Sequence, residues 1–420
     1  MLKASALYIV IIIALVIGLL CSSLIVVAYF YRLQDQYTLR QANLQNNLNS
    51  GINILTVAPI ADYFIEKTFS LYGQDNDSVK LKVTPWGAYD IGLAKSFIQK
   101  DSLHASFILA NPIDSSKWAA LYIIDEDRPI SISGKTAIRG DAYIPKAGVK
   151  EAYIDNKAYQ GSKKLVSGNI RNSGRSLPLL NKERLNQIGQ YFDISPRSVK
   201  LFKDSASASF FNETEIVQID KNAAILSNTV LSGNIIVRCD TTLIIENTAH
   251  LENVIVVAKA IVVKSGFNGT CQLFAADSIA VESNCKLNYP SVLGVVRMKS
   301  SNNRPIAKLN VGENSVISGM LFNYEEGADR NKQPYIGLQR KVAIKGQIYS
   351  QGILELKSDV VITGSVFTSR FFYRSSFATY ENYIIDATLD ANGLSKYYVH
   401  SDLVPVVSKK KRVLQWLEKN

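Results

Sequence analysis

The pattern of hydrophobic and polar positions divides this chain into three regimes. The first is an apolar run without a charge: residues 4–31, the 28 positions between Lys3 and Arg32, carry none. As a helix that run would reach about 42 Å, longer than the ~30 Å hydrocarbon core of a bilayer. A cleaved signal peptide would need an apolar region of only about 7–15 residues before a small-x-small site. Here Leu24 to Phe30 stay apolar beyond Ser22-Ser23. A lipoprotein signal ending at Cys21 would want a small residue just before the cysteine and a leucine three before it, where Leu20 and Gly18 stand. The run therefore predicts a retained transmembrane helix. Tyr8 near one end and Tyr29, Phe30 and Tyr31 at the other occupy positions where aromatic side chains meet lipid headgroups. Lys3 flanks one side and Arg32 and Arg40 the other, so the charge asymmetry that orients membrane helices is nearly silent.

Beyond Arg32 the pattern becomes helical and amphipathic. Leu33, Tyr37, Leu44, Leu48, Ile52 and Leu55 recur at three-, four- and seven-residue spacings, with Gln and Asn on the other faces. This stripe predicts that the membrane helix continues to about residue 56. It offers a packing seam, either for the chain's own body or for neighbouring subunits.

From residue 57 to 180 the chain reads as short strands. "AALYIIDEDRPISISG" is expected to form a hairpin turning at Asp125–Pro129. "NKERLNQIGQYF" predicts one amphipathic helix within a linker over 181–204. Residues 225–296 then align as four lines of 18, placing Ile225, Leu243, Ile261 and Ile279 in one column and Val237, Ile255 and Leu273 in another. A fixed short period is the mark of stacked rungs that bury their inward side chains against the next. Gly319-Met-Leu-Phe322, Gly346-Gln-Ile-Tyr349 and Gly364-Ser-Val-Phe367 extend the period, the first interval carrying an insertion. The predicted fold is mainly β with one long N-terminal α-helix. It comprises a single transmembrane helix (1–56), a small β domain (57–180), the helical linker, a parallel β-solenoid with 18-residue rungs (205–372), and a C-terminal capping segment with a basic tail (373–420).

Composition adds little to this picture. The chain is 47% hydrophobic and 20% charged, which suits folded cores. Its net charge of +11 points to an anionic neighbourhood. Basic residues gather at Lys163, Lys164, Arg171, Arg175, Lys182, Arg184 and Arg197, and at Lys409, Lys410, Lys411 and Arg412. No nucleic-acid module accompanies them, so nucleic acid is not an expected partner. His104, His250 and His400 lie far apart and lack ligand spacing, so no metal or other cofactor is expected. Cys239, Cys271 and Cys285 fall in different columns and are expected to be buried thiols, with one disulfide as the alternative. Asp240, Glu246, Glu252, Asp277 and Glu282 are expected at corners or facing outward, with Glu246, Lys264 and Glu282 forming a charge ladder rather than a catalytic site.

The layout of a short charged tail, a long apolar helix and an amphipathic continuation resembles the type IV pilin-like proteins. It differs in having Lys3-Ala4-Ser5 before the run and no acidic residue within it. "ALYIIDEDRPISISGKTAIRGDAYIP", with Ser133-Gly134, Ile138 and Gly140, resembles the small domain of the PilX-type minor pilins. The 18-residue rungs are similar in pattern to bactofilin-type solenoids. These resemblances imply a non-enzymatic, single-pass subunit of the bacterial inner membrane, its body periplasmic or extracellular. It would serve a type IV pilus or type II secretion-like assembly, with sibling subunits and cell-wall polymer as partners. The alternatives are a membrane-tethered β-helix protein that binds or cleaves polysaccharide, and a bactofilin-like scaffold.

Overall fold

The computed structural model describes residues 2–71, 73, 77–114, 118–193, 204–298, 305–328, 332–375, 377–404 and 410–419. It is mainly β with one long apolar N-terminal helix; most of its strands stack as a parallel solenoid, and six form a separate sheet that includes antiparallel pairs. The chain divides into two compact units.

The first unit comprises Met1–Lys82, Leu93–Ala105 and Lys419–Asn420. Its core element is α1, Leu2–Val57, unbroken over 56 residues. Along the end of α1 the buried positions are Leu44, Asn47, Leu48, Gly51, Ile52 and Leu55. This is the i, i+3, i+4, i+7, i+8, i+11 face of a helix. Gly51 lets the helix approach the adjacent strand closely: a Cβ there would lie 2.8 Å from Val79 Cγ1 and 2.9 Å from Leu81 Cδ2. Ser96 Oγ donates to the Leu44 carbonyl at 2.8 Å, and Arg40 pairs with Asp101 at 2.7 Å.

The second unit, Val83–Gly92 with Ser106–Glu418, holds the solenoid. One inward column runs through hydrogen-bonded rungs as Val237, Val256, Leu273, Leu293, Leu321, Ile348 and Val366. A second is Leu243, Ile261, Ile279, Leu309, Ile336, Leu354 and Phe371. A third is Leu287, Ile317, Ile344, Ile362 and Leu389. All these side chains are buried, and together they line three walls of one continuous core.

The strand order corrects the expected boundary at residue 180. The first column does not stop at Val366 but passes to Leu121, then Ala142, then Ile170. The third passes from Leu389 to Ile138. Residues 118–172 are therefore the last rungs of the same solenoid, stacked out of sequence order beyond its C-terminal strands. The hairpin expected at Asp125–Pro129 is absent for the same reason. Leu121–Ile123 pairs with Val360–Arg374 and Ala142–Ile144, whereas Ile130–Ser133 pairs with Tyr383–Ile385 and Val149–Glu151. The Asp125–Pro129 segment turns a corner between two walls.

The frame of 18 is also adjusted locally. Ile344 pairs with Ile362, 18 residues on, but Val256 pairs with Leu273 after 17 and Val237 with Val256 after 19. Ile255 pairs with Ile236, so the expected column of Val237, Ile255 and Leu273 is out by one residue, as is Ile225, which meets Ile244. Register shifts at Cys239/Thr242, Glu252/Val254 and Ala258/Ala260 absorb the difference. The glycine column is in register: Gly319, Gly346 and Gly364 are partners, with φ of 139°, 144° and 146°. A side chain on any of them would strike the carbonyl of the rung beneath.

A second special column forms a corner. Gly266, Asn284, Asn314, Lys341, Asp359 and Asp386 all have positive φ. The amides of the first five donate to the next rung, at Ser283, Glu313, Arg340, Ser358 and Asp386. Gly, Asn and Asp tolerate this left-handed conformation, which explains their recurrence here.

The chain up to Asp193 returns along the outside of the stack. The linker helix, α2 (Lys182–Asp193), lies over strands His250–Val263 and Lys286–Arg297. Between Ile170–Asn172 and α2, the chain crosses an outward aromatic column of Phe322, Tyr349, Phe367, Tyr122 and Tyr143. Tyr349 Oη donates to Pro178 O at 3.1 Å, Tyr122 Oη donates to Ser176 O at 3.2 Å, and the Tyr191 ring stacks on Phe274.

Candidate functional site

The strongest chemical contrast in the molecule lies along α1. Every side chain from Ser5 to Leu39 is exposed, including more than twenty large apolar or aromatic ones. It is the one helix among the described residues that is long and apolar enough to cross a membrane. Tyr8, Tyr29, Phe30 and Tyr31 are 60–66% exposed. From Tyr8 to Tyr29 is 21 residues, or about 32 Å of helix, close to the hydrocarbon thickness between two headgroup layers.

The predicted seam is split. Leu33 and Tyr37 are exposed at 43% and 58%, whereas Leu44, Leu48, Ile52 and Leu55 are buried against the chain's own strands. Only the first two remain available to another helix. The physical reason is Gly51: it allows the second half of the stripe to sit down on Val79 and Leu81.

The predicted basic tail is not a tail. Lys409 lies outside the described residues, as does Arg197. Lys410 is exposed, and Arg412 opens the strand Arg412–Lys419. Lys411 turns inward, with Nζ 2.7 Å from Asp90 and 3.4 Å from Asp402. It completes a cluster around Arg184, one of the basic residues gathered over 163–197, which is 4% exposed. Arg184 donates from Nη2 to Asp90, from Nε to Asp402 and from Nη1 to the Tyr89 carbonyl. Burial pushes the guanidinium pKa down, but the Asp90 and Asp402 carboxylates outweigh it and raise it above the ordinary value. Burial likewise pushes the Asp402 carboxyl up, and Arg184 and Lys411 hold it below the usual carboxylate range. A cluster whose charges satisfy one another this fully fastens chain segments together.

The remaining candidates are distributed along the stack. Lys264 Nζ donates to Glu282 at 2.9 Å on a half-exposed face. The hydrogen bond from Lys264 holds the Glu282 carboxyl below its ordinary value. Asp240 and Glu252 are exposed, Glu246 is half-buried, and Asp277 pairs with the buried Arg297 at 3.0 Å. Cys239, Cys271 and Cys285 are free and buried. Burial pushes the Cys271 thiol up to about 12, far from the thiolate a nucleophile needs. His104 is half-buried and His250 exposed, while His400 is fully buried beside Trp118. Among the described residues no three His, Cys, Asp or Glu side chains come together as metal ligands.

No protein-family model and no curated protein matches this chain. Among solved structures, the competence-associated pilin ComZ from Thermus thermophilus is similar over 93% of this chain and 96% of that one, at 10% identity. The TM-score is 0.26, too low to support an inference about fold or role.

Proposed function

We propose that this chain is a membrane-anchored, non-enzymatic structural subunit of a type IV pilus or type II secretion-like assembly. In this reading α1 crosses the inner membrane once and the β body stands in the periplasm or outside the cell. The observation that carries it is the change of character within one unbroken helix. Apolar side chains are exposed on all faces to Leu39, and a narrow stripe is buried from Leu44 onward. The first half suits lipid or helix partners, and the second half fixes the helix rigidly to its own strands. A helix held in that way is a rigid anchor, which suits a structural subunit. The paired or buried ionisable groups described above favour that role over a catalytic one.

The test uses the full chain in its native membrane. Alkaline carbonate washing should leave it in the pellet, and a photo-crosslinker at Leu33 or Tyr37 should capture pilin-like subunits. A membrane-impermeant thiol reagent should label a cysteine introduced at Lys259 from the outer side. Release by carbonate, labelling only from the cytoplasmic side, or an absence of subunit crosslinks would each overturn the reading.

A further inference from the structure

The end of the solenoid built from residues 118–172 carries a cavity of about 260 Å³. It forms where the chain bows away from the stack. Gln160 N donates to Gly134 O at 2.8 Å, and Ser167 N returns to Ile138 O at 2.9 Å. Between them the loop is held open by its own bonds, Lys164 N to Ser162 Oγ at 3.2 Å and Tyr159 Oη to Ser162 O at 3.1 Å. Lys135, Arg139, Tyr159, Gln160, Ser162 and Lys164 contribute to the lining.

The charges of this lining are not balanced. Three carboxylates lie near it: Asp386 pairs with Lys157 at 2.5 Å, Asp390 pairs with Arg139 at 3.3 Å, and the charge of Glu151 reaches Tyr159. Lys135 and Lys164 are exposed and make no ion pair among the described residues. Lys135, Arg139, Lys157 and Lys164 set four cations against those three carboxylates, although Lys135 also acts on Asp386, and a net positive wall favours an anion. A tyrosine ring, a serine hydroxyl and a glutamine amide in the same wall suit the apolar ring face and hydroxyls of a sugar. The volume is below the ~300–1,000 Å³ of pockets that take a whole drug-sized ligand, so one residue of a polymer fits better. A nucleic-acid strand would need a track of cations with open aromatic platforms. On the adjoining strands Arg171 instead lies over the Tyr143 ring at 5.6 Å.

We propose that this pocket binds an anionic sugar residue, bearing a carboxylate or a phosphate, of a surface polysaccharide. The permuted end of the solenoid is then the adhesive end of the body. This goes beyond the anchoring role and is tested without it.

The experiment uses the detergent-solubilised full chain with labelled polygalacturonate and phosphomannan, neutral dextran and oligo-dT as probes. One or both acidic polysaccharides should bind, and which one does separates the carboxylate from the phosphate. The double variant Lys135→Gln/Lys164→Gln should weaken that binding roughly tenfold or more, equivalent to about 1.4 kcal/mol, with an unchanged melting temperature. The variant Lys259→Gln/Lys286→Gln, which removes the same charge from the middle of the stack, should bind as the parent does. Four results would overturn the proposal: no binding of either acidic polymer, equal binding of dextran, equal weakening by both double variants, or tighter binding of oligo-dT lost in the pocket variant.

Discussion

Arg184 donates to Asp90 across 2.7 Å while the two side chains are only 4% and 1% exposed. With Asp402 and Lys411, the pair joins α2, the Val83–Gly92 segment and two stretches near the C-terminus. Removing the guanidinium would leave two carboxylates buried with Lys411 alone. Arg184→Leu should therefore destabilise the body by about 3–5 kcal/mol. Urea denaturation of the full chain in detergent measures this, and a loss below about 1 kcal/mol would show the cluster to be incidental.

Acid should act on the same corner in two stages. Burial depresses the His400 pKa to about 4, from 6.5 when unfolded. Its Nδ1 meets the Ser401 carbonyl at 2.7 Å, and the Trp118 ring lies beside it. Between pH 6.5 and about 4 the unfolded chain takes up a proton that the folded chain refuses, so stability falls as pH falls. The slope approaches roughly 1.4 kcal/mol per pH unit for this group. The Asp402 carboxyl is depressed, so its stabilisation persists above the unfolded value of 3.8 and is lost only as pH falls below that. His400→Gln should flatten the upper limb of the stability-against-pH curve and leave the lower one. An unchanged upper limb would assign it to another group.

The left-handed corner column supplies a test with opposite signs. Lys341 has φ of 57° where the neighbouring rungs carry Asn314 and Asp359, and its side chain is exposed. Lys341→Asn should stabilise by about 0.5–1 kcal/mol, and Asn314→Lys should cost a similar amount. Paired thermal melts read both. Shifts of the same sign would mean that side-chain contacts, not backbone conformation, govern this corner.

Much of the fold was legible because its physics is local. The uncharged run from Lys3 to Arg32 needs no partner to be recognised, and buried columns such as Leu243, Ile261 and Ile279 recur at the period of one rung. The glycine column could be read because a backbone carbonyl in the next rung excludes a Cβ. The permuted rungs were not legible. Leu121 stacks on Val366, 245 residues away in sequence, and no local pattern specifies that pairing. Buried charge was equally hidden, since Arg184 and Lys411 differ from surface cations only through partners at Asp90 and Asp402. The Gly266, Asn284, Asn314 and Asp359 recurrence was a missed signal: turn-forming residues at rung spacing mark a corner as clearly as the apolar columns mark the core.

The divided seam on α1 separates stability from assembly. Leu48 is fully buried one turn from Leu44 and Ile52, so Leu48→Ala should cost about 2–5 kcal/mol as a cavity opens against the strands. Leu33 is 43% exposed. Leu33→Ala should leave the unfolding curve of the solubilised chain unchanged while weakening helix–helix crosslinking in the membrane. The two variants thus predict a crossed result, one defective in folding and the other in association. If Leu33→Ala lowered stability as much as Leu48→Ala, the exposed half of the stripe would be part of the body's own core. If neither variant altered crosslinking, the surface from Ser5 to Leu39 would be meeting lipid alone, and α1 would serve as an anchor without a seam.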